Sequence, residues 1–245
     1  QTGYIPSPLS IYEEINKLSP GKFMIIDLKS NKLSISNYWD LKKNKTLRVS
    51  YKQALYDLEN LIIDSVKLRL NSDVKIGTFL SGGIDSALVT SIASQISKKQ
   101  INTFTIGFKE VLYDESKLAM KYSKILKTNH EEFICKSTDL IDLIPKFINA
   151  FDEPFADSSA IPSLYLNKKS KNYVTVTLSG DGADESFFGY NHFYVSKWVL
   201  TAFKLPFLIR EIIINFLPIR ILSFLLKKDK RVIKEIFMLK NIKDY

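Results

Sequence analysis

Between Ser50 and Leu70 the apolar residues Leu55, Leu58, Leu61, Ile62, Val66 and Leu70 recur at helical spacing, with polar residues on the opposite face. That pattern predicts an amphipathic helix over 50–70. The next apolar run, Val74 to Leu80, is short and flanked by polar residues, as a buried strand is. Helical spacing then returns at Ala87, Leu88, Ile92, Ala93 and Ile96. Strands are predicted over 103–108, 130–134 and 174–178, and helices over 114–127 and 141–151. Strands alternating with helices at this pitch predict an α/β fold, a parallel sheet with helices on both faces. Ligands of such sheets sit at the carboxyl ends of the strands.

The flanking sequence has a different texture. Phe23 to Leu28 and Leu33 to Ser36 read as strands joined by the turn Lys29-Ser30-Asn31-Lys32, a short β-rich stretch that cannot bury its own core. A polar, lysine-rich linker runs from Asp40 to Val49. Residues 196–245 read as helical. Leu205 to Leu226 is 22 residues long and strongly apolar, which matches a membrane span in length. Arg210, Glu211 and Arg220 lie inside it and Pro206 and Pro218 break it, so two packed helices and no membrane span are expected. The organisation expected is thus a β-rich piece (1–40), an α/β domain (41–195) and a basic helical extension (196–245).

Composition narrows the classes. Apolar residues at 45% and charged residues at 25% exclude a disordered chain. The single cysteine, Cys135, excludes an internal disulfide framework and zinc sites built on cysteine pairs; it reads as a small buried residue. A reducing, cytoplasmic setting fits. The chain opens on Gln1 without a charged-then-apolar leader and reads as a piece of a longer protein. The net charge of +9 invites nucleic acid. Residues 196–245, however, carry eleven Lys or Arg against four Asp or Glu, in an apolar helical context without a basic binding face interleaved with aromatics. Solvated helix faces explain the charge, and no nucleic-acid partner is expected. His130 and His192 lack a second histidine at ligand spacing and read as structural or substrate-edge residues.

Chemistry concentrates at two strand ends. The first is Leu80-Ser81-Gly82-Gly83-Ile84-Asp85-Ser86, between a strand and a helix. Two glycines permit a tight turn that brings amide N–H groups close to an anion. The helix start adds unpaired N–H groups and its positive dipole end, and Ser81 and Ser86 add hydroxyls. This is neither a Walker loop, lacking Gly-Lys-Ser/Thr, nor a dinucleotide fingerprint, lacking Gly-x-Gly-x-x-Gly. A carboxylate beside phosphates is repulsive unless a cation lies between them, so Asp85 is read as a Mg2+ ligand. The second segment, Ser179-Gly180-Asp181-Gly182-Ala183-Asp184-Glu185, puts three carboxylates in five residues. Alone it would pass for a solvated loop. Facing a phosphate cradle it makes a second magnesium wall and a proton-handling group.

The first segment resembles the pyrophosphate loop of the N-type ATP pyrophosphatases. The second, continued through Ser186-Phe187-Phe188-Gly189-Tyr190, resembles the SGEGxDElfgGY segment of the asparagine synthetase family. Phe151 to Pro162 (FDEPFADSSAIP) is similar to the block before that strand, and Phe104 to Phe108 with Tyr113-Asp114-Glu115 and His130 to the family's second βα unit. Tyr4 to Pro8, Lys17 to Gly21 and Trp39 resemble the closing strands of its glutaminase domain and the linker beyond. The resemblance spans roughly residues 3–195. Ser186, where an apolar residue is usual, and Phe188, where a small one is, depart from it.

This resemblance implies an adenine nucleotide alpha hydrolase-like fold, with residues 1–40 as the end of an N-terminal-nucleophile glutaminase domain and 41–195 as the synthetase domain. It implies a ligase that amidates aspartate to asparagine with ATP and Mg2+ through a β-aspartyl adenylate, releasing AMP and pyrophosphate, with ammonia drawn from glutamine. Asp85 and Asp184 would bind the magnesium–pyrophosphate. Ser81, Gly82, Gly83 and Ser86 would cradle phosphate, Ser179 and Gly180 would touch the nucleotide, and Phe79, Leu80 and Ile106 would frame adenosine. Asp181 stands where a catalytic glutamate or aspartate is usual. It would take a proton from ammonia or organise water and cation. Asp85, Asp181 and Asp184 are therefore the expected catalytic set, and a homodimer is compatible. The family's catalytic lysine lies beyond the matched region, so this piece alone is expected to bind ATP with poor or no turnover, and without glutaminase activity. A related amidotransferase or cyclase that adenylates a sugar acid, peptide or β-amino acid stays open on Ser186 and Phe188. tRNA thiolation would want paired cysteines, and a non-catalytic module with a basic tail is the remaining rival.

Overall fold

A computed structural model describes residues 3–40, 47–108, 114–190 and 193. The chain forms two compact units, residues 1–180 and 181–245.

The first unit begins with an antiparallel hairpin of β1 (Lys22–Asp27) and β2 (Lys32–Asn37), paired from Lys22 opposite Asn37 to Asp27 opposite Lys32. The Asp27 carboxylate accepts the Lys29 N–H at 2.8 Å, and Asn31 takes a left-handed φ of 51°, which closes the turn. Every residue of both strands is exposed. The segment ahead of the hairpin is tied to a distant loop. Ala156 donates its N–H to Gly3 O at 2.7 Å, and Lys17 pairs with Glu153 while donating to Ile5 O at 2.7 Å.

The α/β part runs α1 (Tyr51–Leu70), β3 (Ile76–Phe79), α2 (Ile84–Ile96), β4 (Asn102–Phe108), α3 (Ser116–Leu126), β5 (Asn129–Cys135), α4 (Ser137–Ile141), α5 (Ile144–Ala150), α6 (Ala160–Ser170) and β6 (Val176–Leu178). The sheet is wholly parallel in the order β5-β4-β3-β6. Right-handed crossovers fix the helices. The path β3-α2-β4-α3-β5 steps one way across the sheet, which puts α2 and α3 on one face. The return from β5 to β6 runs the other way, which puts α6 on the opposite face. The two apolar clusters agree with this. Val66, Ile92, Ala93 and Ile101 pack α1 and α2 together with Leu178. Cys135, Leu143 and Tyr165 pack α4 to α6 against Ile106, Phe108 and Phe133. The expected α/β architecture with helices on both faces is present.

Several elements differ from the sequence reading. The helix expected over 141–151 begins only at Ile144, after a separate short helix that ends at Ile141, because Pro145 at the second position of α5 has no N–H to continue a ladder from α4. Strands β3 and β6 are shorter than the runs that suggested them, at Ile76–Phe79 and Val176–Leu178. Helix α6 was not anticipated. It closes the second face, and its Tyr165 hydroxyl donates to Ile134 O at 3.1 Å. The linker at 41–46, His192 and the tail from 196, with its apolar stretch Leu205 to Leu226, lie outside the described residues. Among the described residues no helix is long and apolar enough to cross a membrane.

The second unit contributes α7 (Ala183–Phe187), started by Gly182 at φ 89° and ended by Phe188 at φ 58°.

Candidate functional site

Strand order reverses between β3 and β6, the topological switch point at which α/β sheets bind ligands. Both glycine-rich segments leave the sheet there, Leu80 to Ser86 from β3 and Ser179-Gly180 from β6. They meet closely. A Cβ on Gly180 would lie 2.8 Å from the Ser86 nitrogen and 2.9 Å from the Asp85 Cβ, so only glycine permits the approach.

The first loop is stitched by its own hydroxyls. Ser86 Oγ accepts the Ser81 N–H at 3.1 Å and sits 2.9 Å from Ser81 Oγ, which accepts the Gly83 N–H at 3.0 Å. The two serines, expected as donors to an anion, are thus turned toward each other and hold the turn in shape. Gly83 is the N-cap of α2, with Ala87 donating to its carbonyl at 3.3 Å. The N–H groups of Ile84, Asp85 and Ser86 belong to the first turn, which has no preceding helical carbonyl to receive them. That thirteen-residue helix also directs its positive end at the loop. Asp85 is half-buried in this turn. The Gly82 N–H is directed elsewhere: it donates to the carboxylate of Glu115, at the N-cap of α3, at 3.0 Å.

Of the residues expected to frame adenosine, Phe79 is half-buried at the end of β3. Leu80 is 1% exposed and both its backbone groups are engaged with β4, its N–H donating to Phe104 O at 2.9 Å and its carbonyl accepting the Thr105 hydroxyl. Ile106 packs into the cluster of Cys135, Leu143 and Tyr165. Ser179 and Gly180 are half-buried beyond β6.

In the second unit, Asp184 is half-buried in the first turn of α7 and Asp181 is exposed. Gly189 donates its N–H to Asp184 O at 3.0 Å, and its missing side chain leaves the space that the Asp184 carboxylate fills. The Tyr190 hydroxyl donates to Glu185 Oε1 at 2.7 Å. That hydrogen bond holds the Glu185 carboxyl below its usual range and pushes the Tyr190 hydroxyl up to about 12. Ser186 turns its hydroxyl back to Gly182 O at 2.9 Å. Phe188, exposed and left-handed, explains why a small residue is usual in the segment it resembles: a position with positive φ suits glycine.

Among the described residues no group of three His, Cys, Asp or Glu side chains converges as an all-protein metal cage. Asp85 and Asp184 offer carboxylate oxygens, the donor type Mg2+ takes alongside phosphate oxygens and water. His130 is half-buried. Its Nδ1 lies 2.9 Å from Thr103 Oγ1, its Nε2 is enclosed without a protein partner, and burial lowers its pKa although Glu132 and Glu131 pull upward. Cys135 is buried in the apolar cluster, as expected. In sequence Glu115 carries no role beyond the motif Tyr113-Asp114-Glu115, and only its place beside a strand end in the neighbouring βα unit hints at one.

These features define an α/β domain that carries a two-glycine loop and a helix start at its switch point. The chain belongs to the asparagine synthase family, whose model, described as Asparagine synthase, matches residues 57–237. A Methanocaldococcus jannaschii protein named "Putative asparagine synthetase (glutamine-hydrolyzing) 2" is 35% identical over 97% of this chain and 44% of its own length. Asparagine synthetase (glutamine-hydrolyzing) 1 of Bacillus subtilis is 32% identical over 77% of this chain and 29% of its own. The chain therefore spans less than half the length of these relatives. Among solved structures, the glutamine-dependent NAD+ synthetase of Acinetobacter baumannii overlays with a TM-score of 0.40 at 16% identity, covering 88% of this chain and 48% of that one, too slight a likeness to argue from.

Proposed function

We propose that this chain is the synthetase portion of a ligase that converts aspartate to asparagine with ATP, through a β-aspartyl adenylate and release of AMP and pyrophosphate. The observation that carries the reading is the meeting of loop 81–86 with Ser179-Gly180 at the switch point of the sheet. Membership of the asparagine synthase family supports the amidation chemistry.

The side-chain carboxylate of aspartate is an anion, and ammonia does not displace oxide from it. Attack of that carboxylate on the α-phosphorus of ATP forms the acyl–phosphate bond and breaks the bond to pyrophosphate. Ammonia then attacks the acyl carbon, AMP leaves, and the ammonium proton passes to a base. The helix start at Ile84 to Ser86 faces the charge that grows on the departing pyrophosphate, a preorganised electrostatic role. Asp85 and Asp184 would hold Mg2+, which neutralises phosphate charge when bound. Asp181 follows Gly180 directly in the chain, and its carboxylate is the candidate acceptor of the ammonia proton.

Ammonia would come from glutamine through a domain of which residues 1–40 are the last strands. The exposure of Phe23, Met24, Ile25 and Ile26 along β1 supports this, since a complete domain would cover at least one face of such a strand.

Pyrophosphate release by the full-length protein tests the reading, with ammonium or glutamine as nitrogen source and one carboxylate at a time. Aspartate is expected to stimulate release. Stimulation by a sugar acid or β-amino acid instead would transfer the reading to a related amidotransferase or cyclase. Asp85→Ala is expected to lower the rate on the order of 10²-fold or more, by analogy with other preorganised charge sites. A near-wild-type rate would remove Asp85 from the site.

A further inference from the structure

We propose that the Glu115 carboxylate occupies an anion position of the phosphate loop, as an internal stand-in that an incoming polyphosphate must displace. The inference rests on the ATP-binding reading above and adds to it a competitor built into the chain.

The geometry is specific. The Gly82 N–H, at the centre of the two-glycine turn, donates to Glu115 Oε2 at 3.0 Å across a sequence separation of 33 residues. Space at Gly82 is taken from the same direction, since a Cβ there would lie 3.2 Å from both Glu115 Cβ and Leu118 Cδ2. The other amides of the turn are internally satisfied: Ser81 N–H by Ser86 Oγ and Gly83 N–H by Ser81 Oγ. Gly82 is thus the amide of the turn whose acceptor comes from outside it, and that acceptor is an anion. A phosphate oxygen arriving at the Gly82 N–H finds a carboxylate in its place. The two negative groups cannot share one donor without a cation between them.

Displacement is mechanically simple. Glu115 is exposed and makes no other side-chain hydrogen bond or ion pair among the described residues, so a rotation about its own side chain frees the amide. Its backbone role is separate from that contact. The Glu115 carbonyl accepts the Leu118 and Ala119 N–H groups, each at 3.1 Å, and holds the start of α3 whichever way the side chain turns. The neighbouring carboxylate has a different task. Asp114 accepts the Ser116 N–H at 3.2 Å, and its hydrogen bonds to Ser116 hold its carboxyl below the usual range. The acidic pair at the head of α3 therefore divides its work: Asp114 secures the helix, and Glu115 reaches the loop.

The test uses the full-length protein and two ligands, inorganic pyrophosphate in the presence of a chelator and ATP with magnesium, followed by titration calorimetry. Glu115→Gln keeps the size and a hydrogen-bond acceptor but removes the charge. It is expected to bind metal-free pyrophosphate about 5- to 20-fold more tightly than wild type, the scale of the difference between a charge-assisted and a neutral hydrogen bond. Glu115→Ser, serine being a favoured N-cap, guards against a folding artefact, and it is expected to bind more tightly too with its melting temperature unchanged or raised. The Gly82 amide resonance supplies an independent readout. It is expected to move on Glu115→Gln in the free protein, and to coincide in wild type and variant at saturating pyrophosphate. Equal or weaker pyrophosphate binding by both variants overturns the stand-in and makes Glu115 a support of the loop. Weakening confined to magnesium–ATP overturns it in favour of a metal ligand. If wild type binds neither ligand, the ATP reading itself fails and this inference falls with it.

Discussion

Gly180 is the residue through which the two loops at the sheet's edge touch, and the partners of its missing side chain are mostly main chain. A methyl group there would meet the Ser86 nitrogen at 2.8 Å and the Asp85 carbonyl carbon at 3.0 Å, inside van der Waals contact. Gly180→Ala is therefore expected to push β6 away from the first turn of α2. The stability cost should be about 1–3 kcal/mol, typical of overpacking, as read by urea unfolding. Pyrophosphate affinity should fall about tenfold, by calorimetry, as the helix start moves off its seat. The composition of the site was readable at this scale: two glycines before a helix, one aspartate in its first turn and an acidic turn after a strand announced it. The direction of each polar group was not. Ser81 and Ser86 were expected to face a ligand and instead satisfy the turn's own N–H groups. Glu115 escaped because its contact with Gly82 depends on how β3 and β4 pair, which local spacing does not carry.

At the scale of elements, the helix ends carry the testable content. α3 stops at Lys127, held left-handed at φ 54°. Thr128 donates its N–H back to Ser123 O at 3.0 Å across this turn, an arrangement that ordinarily uses glycine. Lys127→Gly removes the steric penalty on a left-handed residue and adds chain entropy to the unfolded state. The net stabilisation expected is about 0.5–1 kcal/mol, measured as a shift in thermal or urea midpoint. The longest periodic stretch, α1, was legible because twenty residues repeat one apolar face. α6 was not, since its face is only Ile161, Leu164 and Tyr165 before a polar run, and Pro162 reads as a breaker. Proline in a first turn costs no hydrogen bond, so the helix forms regardless. Pro145 acts the other way, because it falls where an unbroken helix from 141 would need its N–H.

For the whole molecule, parallel order and handedness followed from the alternation of strands and helices, while the reversal between β3 and β6 came only with the pairing itself. Residues 3–17 are tied to the loop before α6. If residues 1–40 close a glutaminase domain, the Lys17–Glu153 pair and the Gly3–Ala156 hydrogen bond are part of the link between nitrogen source and synthetase. Lys17→Ala in the full-length protein is expected to leave ammonium-driven pyrophosphate release within about twofold of wild type. Glutamine-driven release should fall about threefold, the scale of one partly exposed ion pair. Equal loss with both nitrogen sources would make the pair a matter of stability alone.

The contact at Gly180 also bears on how this sequence is free to change over time. A clash between two side chains can be relieved by trimming the other partner. An obstacle made of peptide atoms offers no such partner, because every amino acid brings the same nitrogen and carbonyl carbon to positions 85 and 86. No compensating replacement elsewhere in the loop can rescue a larger residue at 180, so descendants of this chain that keep the two loops touching must inherit the glycine unaltered.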